Sequence, residues 1–292
     1  MSDVMDYQEA QEASVDEGWV KVSPEMAIIL DNLDFEDIGQ GAYRASLNPD
    51  QIKALTRDQK EQVQSMLAII GGFYDGKKSY ILPSSLSWKD RMDQACSENI
   101  VEDVPRAWHQ FDTPDELCRR MAGCLNAKPG SLILEPSAGR GKMVEALLEA
   151  GYKVFAIEPE DTAYDVLRWK LQDEIKVNRV MLAKADFLDI YKKHGPAGIN
   201  PLLFAGVVMH PPHMRWSDIK HIQAAYDMLR PGGTMAAIAS YSSCFGEEPE
   251  ALQFADWLAD TVDSDEELPL GTFKADYVHG VLLTFVKPAY TE

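Results

Sequence analysis

The residues with the clearest chemical potential lie in a glycine-rich turn. Residues 132–141 read Leu-Ile-Leu-Glu-Pro-Ser-Ala-Gly-Arg-Gly, so an apolar run ends at Glu135 and a turn with Gly139 and Gly141 follows. Glycine adopts backbone angles closed to other residues, and the start of the next helix presents free N–H groups to a ligand. Because Glu135 would repel a pyrophosphate and no Gly-Lys-Ser/Thr follows, a positively charged nucleoside fits this turn better.

Three further polar positions follow apolar runs. Residues 153–157 lead to Glu158, whose carboxylate at a strand end can hydrogen-bond both hydroxyls of a ribose. Residues 180–184 precede Asp186, and residues 202–209 lead to His210 in the sequence His-Pro-Pro-His. Each of these runs is short enough to be a buried strand.

The elements that must position these residues alternate along the chain. Helical patterns are predicted at 115–125, 143–150, 163–170 and 218–229, and strands at 132–135, 154–158, 180–184, 202–209, 234–240 and 280–287. Alternation of this kind predicts an α/β fold, a mostly parallel doubly wound sheet with helices on both faces. Ligands of such sheets bind outside the carboxyl ends of the strands, so Glu135, Glu158, Asp186 and His210 are expected to converge on one crevice.

In this order the segments resemble the class I S-adenosylmethionine-dependent methyltransferases, especially the DNA amino-methyltransferases of phages and prophages. Phe111-Asp112-Thr113-Pro114 looks like that group's Phe-x-Thr-Pro segment, and residues 135–141 look like its first cofactor motif. The resemblance covers roughly residues 105–288. It implies a Rossmann-like fold, S-adenosylmethionine as the cofactor, and a final strand, residues 280–287, that is antiparallel.

The resemblance also assigns residues to roles. Cofactor-binding positions are Phe111, Thr113, Pro114, Glu135, Pro136, Ala138, Gly139, Gly141, Glu158, Pro159, Asp186 and Phe187, and the catalytic segment is His210, Pro211, Pro212 and His213. No metal ligand is implied.

The catalytic segment departs from the family, which carries Asn/Asp-Pro-Pro-Tyr/Phe. There the Asn or Asp oxygen and the first proline carbonyl accept hydrogen bonds from an exocyclic amine of the base, and the aromatic ring stacks on the flipped base. A neutral His210 accepts one hydrogen bond, and His213 can stack. With ordinary pKa values near 6.5, transfer is expected to fall as the pH drops from about 8 to about 6.

Three functions remain open at this stage. Methyl transfer to an exocyclic amine of DNA, at adenine N6, is the first. A degenerate relative that binds the cofactor or a partner protein, without transfer, is the second, and an RNA or protein methyltransferase is the third. The target sequence and the oligomeric state are not predicted.

Composition sets the outer limits. The chain has 292 residues, 46% of them hydrophobic, no run that is apolar for the length of a membrane span, and an acidic start, so a cytoplasmic location and no membrane partner are predicted. The four cysteines lack zinc-finger spacing and are expected to be reduced thiols.

The charge disagrees with a DNA substrate. The chain carries 47 acidic against 28 basic residues, a net charge of −19, which repels DNA on average. Residues 3–17 and 256–267 hold part of the excess and are interpreted as solvated tail and loop. A basic strip near the site would then be formed by Arg106, Arg119, Arg120, Arg140, Lys142, Arg215 and Lys220.

Three segments are predicted along the chain. Residues 1–18 form an acidic disordered tail, residues 19–104 a small α+β helix-plus-hairpin domain, and residues 105–292 the cofactor-binding domain. Within the second, residues 48–70 are predicted to form one helix that stops at Gly71 and Gly72, and an Asp-Gly turn at 75–76 predicts a hairpin. The small domain serves either target recognition, partner docking or covering of the core.

Overall fold

The structure is a computed structural model that describes residues 19–39, 41–74, 79–83, 88–102, 113–198, 202–213, 216–273 and 279–289. The chain divides into two compact units, Met1–Trp108 and His109–Glu292. This division lies four residues beyond the boundary expected between residues 104 and 105. The tail predicted for residues 1–18 lies outside the described residues.

The first unit combines helices with two small sheets. Its elements are β1 (Trp19–Lys21), α1 (Pro24–Asp31), β2 (Asp34–Gly39), β3 (Ala42–Ser46), α2 (Pro49–Ala54), α3 (Arg57–Ile70), β4 (Phe73–Tyr74), β5 (Tyr80–Pro83), α4 (Trp88–Ser97) and β6 (Ile100–Glu102). Strands β1 and β6 pair with each other, and the other four form an antiparallel sheet in the order β2-β3-β5-β4. The unit is therefore an α+β arrangement.

The single helix predicted at residues 48–70 is wrong, because two helices occupy this segment. The first helix ends at Ala54 with Leu55 as its C-cap, and Thr56 is the N-cap of the second. The Thr56 hydroxyl accepts from the backbone N–H of Gln59, whose side chain accepts from the Thr56 N–H. Such a capping box satisfies two otherwise free N–H groups and favours a new helix start. The predicted stop at Gly71 is confirmed, since this residue has a φ of 116°.

The predicted hairpin is confirmed by strands β4 and β5, which pair antiparallel with Tyr74 opposite Tyr80. The Asp-Gly turn itself, at 75–76, lies outside the described residues. Leu30, Ile70 and Leu82 are fully buried and form part of the apolar interior of this unit.

The second unit alternates strands and helices. Its elements are α5 (Asp115–Gly123), β7 (Leu132–Glu135), α6 (Lys142–Glu149), β8 (Lys153–Ile157), α7 (Asp161–Lys170), α8 (Gln172–Lys176), β9 (Val180–Ala183), α9 (Phe187–His194), β10 (Phe204–Met209), α10 (Ser217–Asp227), β11 (Leu229–Ser240), α11 (Tyr241–Phe245), α12 (Pro249–Thr261), β12 (Val262–Glu267) and β13 (Gly280–Val286). The strands and helices predicted for this part of the chain are confirmed to within a few residues at each end.

These strands form one sheet in the order β12-β13-β11-β10-β7-β8-β9. Strands β11, β10, β7, β8 and β9 run parallel, whereas β13 is antiparallel to β11 and to β12, as the resemblance implied for the last strand. The order in which the strands are added to the sheet reverses between β7 and β10. Strands β8 and β9 extend the sheet on one side of this point, and β10 and β11 extend it on the other. The carboxyl ends of β7 and β10 are therefore neighbours at a topological switch point.

The acidic segment at residues 256–267 is not a loop, which corrects the sequence-based interpretation. It spans the end of α12 and all of β12, an edge strand whose side chains are mostly exposed. Carboxylates on an exposed edge are compatible with pairing to β13 on the other side and oppose pairing with a further strand.

Apolar side chains pack on both faces of the sheet. Helices α5, α6 and α7 cover one face with Met121, Leu147 and Leu167, while α9, α10 and α12 cover the other with Phe187, Ile222 and Phe254. The four cysteines are free thiols. None of the helices among the described residues combines the length and apolar character needed to cross a membrane.

Candidate cofactor and catalytic site

The glycine turn follows β7, whose Ile133 and Leu134 are fully buried. Gly139 and Gly141 both have positive φ angles, 52° and 93°. A Cβ atom at Gly141 would lie 2.4 Å from Cδ1 of the buried Leu167, so this glycine allows α6 to pack against α7. A Cβ atom at Gly139 would meet no protein atom within 4 Å, so the chain leaves space on that side of the turn.

Glu158 follows β8 and holds the turn in place. Its carboxylate is 4% exposed and accepts hydrogen bonds from the backbone N–H groups of Gly139, at 2.7 Å, and Glu160, at 2.9 Å. Burial raises the pKa of this carboxyl to about 7, although both hydrogen bonds favour the ionised form. The ionisation of Glu158 therefore changes within the neutral pH range.

Glu135 is a second buried acid at the end of β7. One oxygen lies 3.3 Å from the N–H and 3.4 Å from the hydroxyl of Ser137, while Oε2 is buried and has no hydrogen-bond partner among the described residues. Burial, followed by the charge of Glu158, raises the pKa of this carboxyl well above its usual range. An unpartnered buried carboxylate oxygen is costly, and a cation or a hydrogen-bond donor beside it would offset that cost.

His210 follows β10, all six residues of which are buried. Its Nδ1 lies 2.9 Å from Oγ1 of Thr113, its ring centroid is 4.9 Å from that of Phe273, and the His213 ring lies 5.0 Å away. Burial, and secondly His213, lowers the pKa of His210 well below 6.5. A lower pKa moves protonation of the ring to lower pH, so His210 should account for less of a loss of transfer between pH 8 and 6 than its residue type suggested.

One pocket joins several of the predicted residues. Its walls include Thr113, Glu135, Ala138, Gly139, Lys142 and His210. Residues from the start of α5, the glycine turn and the end of β10 thus face the same space, at the switch point of the sheet.

Other predicted residues lie elsewhere in this region. Asp186 is exposed and its carboxylate caps α9 by accepting from the Leu188 and Asp189 N–H groups, while Phe187 is 1% exposed and packs near His221. Gly141 and Pro136 are buried, Pro159 is exposed, and Pro114 precedes α5. Phe111 lies outside the described residues.

Two side-chain contacts in and near the site were not predicted from the sequence. The Thr113 contact makes the Phe-x-Thr-Pro segment a neighbour of the His-Pro-Pro-His segment, although 97 residues separate them. Asp218, fully buried, accepts from the Ser240 N–H at 2.8 Å and from the Ser243 hydroxyl at 2.9 Å, which fixes the exit from β11. An Asp near the start of a predicted helix resembles an ordinary exposed residue, so the sequence carries no signal for it.

The bases proposed as a strip are partly neutralised. Arg120 makes a two-pronged contact with Glu266, and Lys142 lies 3.3 Å from the Asp115 carboxylate. Arg106 and Arg215 lie outside the described residues. Among the residues that the structure describes, no three His, Cys, Asp or Glu side chains are grouped so as to hold a metal ion.

Comparison with known proteins supports the fold. No protein-family model matches the chain. A segment of 114 residues is 24% identical to the type II methyltransferase M.HincII of Haemophilus influenzae and equally to M.HindII of strain Rd of that species. The segment is 39% of this chain but spans only 19% and 18% of the two relatives.

Two solved structures resemble the chain. The methyltransferase subunit of a type I restriction-modification system from Streptococcus thermophilus has a TM-score of 0.52 at 19% identity, covering 62% of this chain and 46% of that one. The modification subunit of a candidate type I restriction enzyme from Vibrio vulnificus has a TM-score of 0.53 at 14% identity, covering 82% and 53%. With the sheet order above, these likenesses confirm the α/β Rossmann-like fold of class I methyltransferases.

Proposed function

We propose that the chain binds S-adenosylmethionine and transfers its methyl group to an exocyclic amine of a DNA base, at N6 of adenine. The observation that carries this proposal is that Thr113, Glu135, Gly139 and His210 line the same pocket at the switch point of the sheet. A cofactor side and an acceptor side then lie against one another, which is what direct transfer between two bound reactants requires.

The residues of the pocket fit this cofactor. Oε2 of Glu135 is buried without a partner among the described residues, and Gly139 faces open space into which a nucleoside could extend. S-adenosylmethionine would bring a positively charged sulfur to the pocket, and Glu135 would supply the matching charge on release of the proton that its raised pKa favours. Glu158 keeps acceptor capacity beyond its two backbone hydrogen bonds, since an ionised carboxylate accepts about four.

The acceptor side uses a neutral imidazole in place of an amide or carboxylate. With its pKa lowered by burial, His210 retains one nitrogen lone pair that can accept a hydrogen bond from the target amine. We assign the Pro211 carbonyl as the second acceptor and His213 as the stacking ring. Bound S-adenosylmethionine would supply the methyl group, and the acceptor nitrogen of His210 would take the proton that the amine gives up on methylation.

The names of the relatives support DNA as the substrate. M.HincII and M.HindII are type II methyltransferases, and the two solved structures are subunits of type I restriction or restriction-modification systems. A DNA substrate would place this chain in the cytoplasm of a bacterium. The matched segment is a small part of the type II enzymes, so a second chain that supplies DNA contacts is compatible with the proposal.

The test is transfer of labelled methyl groups. Duplex DNA is incubated with the protein and methyl-labelled S-adenosylmethionine, digested to nucleosides and analysed by mass spectrometry. We expect labelled N6-methyldeoxyadenosine from the wild type, a rate about a hundredfold lower for His210→Ala, and unchanged cofactor affinity in that variant. His194→Ala, at the end of α9 and away from the pocket lining, is the matched control.

The second candidate is a protein that binds the cofactor without transfer, and the two histidines of the His-Pro-Pro-His segment favour it. The same assay, with DNA, RNA and protein extracts as acceptors, separates it from the first. If no acceptor is labelled while the cofactor binds, His210→Asn combined with His213→Tyr decides the cause. Gain of adenine methylation in this double variant would locate the loss in the two histidines, and its absence would locate the loss elsewhere.

A further inference from the structure

A neutral histidine can hold a donor amine only in one of its two tautomers. The ring carries a single N–H, on Nδ1 or on Nε2, and the other nitrogen is the acceptor. An Asn or Asp at this position has no such ambiguity, because its side-chain oxygen always accepts. Replacement by histidine at residue 210 therefore needs a neighbour that fixes the position of the proton.

Thr113 is the group that touches His210 Nδ1, at 2.9 Å. Its residue is 7% exposed and lies at the start of α5, where Cys118 N–H donates to the Pro114 carbonyl in the first turn. The rings of Phe273 and His213 pack near the same imidazole. The Thr113 hydroxyl thus lies just before the first turn of α5, and the imidazole that it contacts lies between two aromatic rings.

We propose that Thr113 is a positioning residue for His210: its Oγ1 accepts the hydrogen bond from Nδ1–H and so leaves Nε2 unprotonated to accept from the target amine. The inference rests on the proposed function: a hydroxyl can donate or accept, and the need for an acceptor at Nε2 is what assigns the accepting role to Thr113 Oγ1. This hydrogen bond would let His210 of the His-Pro-Pro-His segment take the place of the Asn in Asn-Pro-Pro-Tyr. Thr113 would then act on the methyl acceptor as well as on the cofactor.

Nitrogen NMR of the full-length protein labelled with ¹⁵N-histidine measures the tautomer directly, without any turnover. His210 is assigned from the signal lost in His210→Gln. The chain supplies an internal reference, because His221 Nδ1 lies 2.8 Å from the Ser217 carbonyl, which can only accept. The Ser217 hydroxyl, 3.2 Å from the same nitrogen, can donate or accept, and the shorter contact with the carbonyl favours an Nδ1–H on His221. The wild-type His210 pattern is expected to match that of His221.

Two substitutions complete the test. In Thr113→Val the hydroxyl is lost, and we expect His210 to change to the Nε2–H form while His221 stays unchanged; Thr113→Ser, which keeps the hydroxyl, retains the Nδ1–H form. With S-adenosylmethionine and DNA, Thr113→Val is expected to lower kcat at least about tenfold and Thr113→Ser to restore most of it.

The outcomes separate this inference from the proposed function. An Nε2–H form of His210 in the wild type, or an unchanged pattern in a folded Thr113→Val variant, overturns the positioning role whether or not the protein methylates DNA. The expected tautomers in a protein that labels no acceptor leave the Thr113 contact established and contradict the proposed function instead.

Discussion

At the scale of single residues, the site contains two buried acids, Glu135 and Glu158, whose pKa values are raised by burial. Burial raises the pKa of Glu158 to about 7 and, together with the charge of Glu158, raises the pKa of Glu135 well above its usual range. Protonation removes the negative charge that attracts a sulfonium and removes acceptor capacity for ribose hydroxyls. Cofactor binding is therefore expected to favour the ionised forms and to release protons.

The resulting prediction is that the affinity for S-adenosylmethionine falls as the pH falls. Between pH 8 and pH 6 Glu158 passes from mostly ionised to mostly protonated, so the Kd should rise by about tenfold. Isothermal titration calorimetry at both pH values measures this. In Glu158→Gln, which cannot ionise, the affinity should be lower at pH 8 and vary less with pH. Equal wild-type affinity at pH 6 and pH 8 would contradict the role of Glu158.

Residue types and their order predicted that four polar side chains at strand ends share one crevice. Glu135 and His210 line one pocket and Glu158 contacts its glycine turn, whereas Asp186 is exposed, caps α9 and does not line that pocket. The contact between Thr113 and His210 depends on packing between segments 97 residues apart, which no local pattern records. The lowered pKa of His210 has the same origin, because burial of the ring follows from its neighbours and not from its own type.

At the scale of elements, two glycines of one turn have different tasks. A Cβ atom added at Gly141 would clash with Leu167 of α7, whereas a Cβ atom added at Gly139 would meet no protein atom within 4 Å. A methyl group at Gly141 must therefore displace a buried side chain, in addition to the strain of a positive φ that both glycines share.

We expect Gly141→Ala to destabilise the protein by about 2–3 kcal/mol and Gly139→Ala by about 1 kcal/mol. Urea unfolding monitored by tryptophan fluorescence gives both values. Gly139→Ala is the matched control, since it introduces the same methyl group two residues away in the same turn. Equal losses in the two variants would show that backbone strain, and not packing of α6 on α7, requires the glycine at 141.

The observed helices and strands show which sequence patterns were sufficient to predict an element and its ends. Strands such as β7 and β10 were predicted because continuous apolar runs bounded by turn residues have few alternatives. The two helices at residues 49–70 were merged because the side-chain capping of Thr56 outweighs the continuous helical pattern. Strand β12 was missed because its acidic composition resembles a solvated loop, and pairing with β13 stabilises it.

At the scale of the whole molecule, the charge limits how DNA can be bound. The net charge is −19, and two bases of the proposed strip, Arg120 and Lys142, already contact carboxylates. The excess of acidic residues opposes the displacement of counterions from phosphates, so binding to DNA should be weak and depend on readout at the pocket or on a partner chain.

We predict that the affinity for duplex DNA changes little with salt. A protein that makes six to ten phosphate contacts loses roughly 10³ to 10⁵ in affinity between 50 and 200 mM salt, and we expect a loss of less than about tenfold here. Fluorescence anisotropy of a labelled duplex across this salt range measures the slope. A steep slope would instead show a basic strip on the protein, as the sequence suggested. Glu266→Gln, which frees Arg120, is expected to steepen the slope.

The most direct test of the account is whether the pocket binds its cofactor. Calorimetric titration of the full-length protein with S-adenosylmethionine at pH 8 should give one site per chain. Glu158→Ala should weaken binding by about 1–3 kcal/mol through lost charged hydrogen bonds, and Gly139→Val by obstructing the open side of the turn. Glu149→Ala, at the exposed end of α6, is the matched control and should bind as the wild type does. If the wild type gives neither heat nor a thermal shift with S-adenosylmethionine or S-adenosylhomocysteine, the pocket is not a site for this cofactor and the proposed function is wrong.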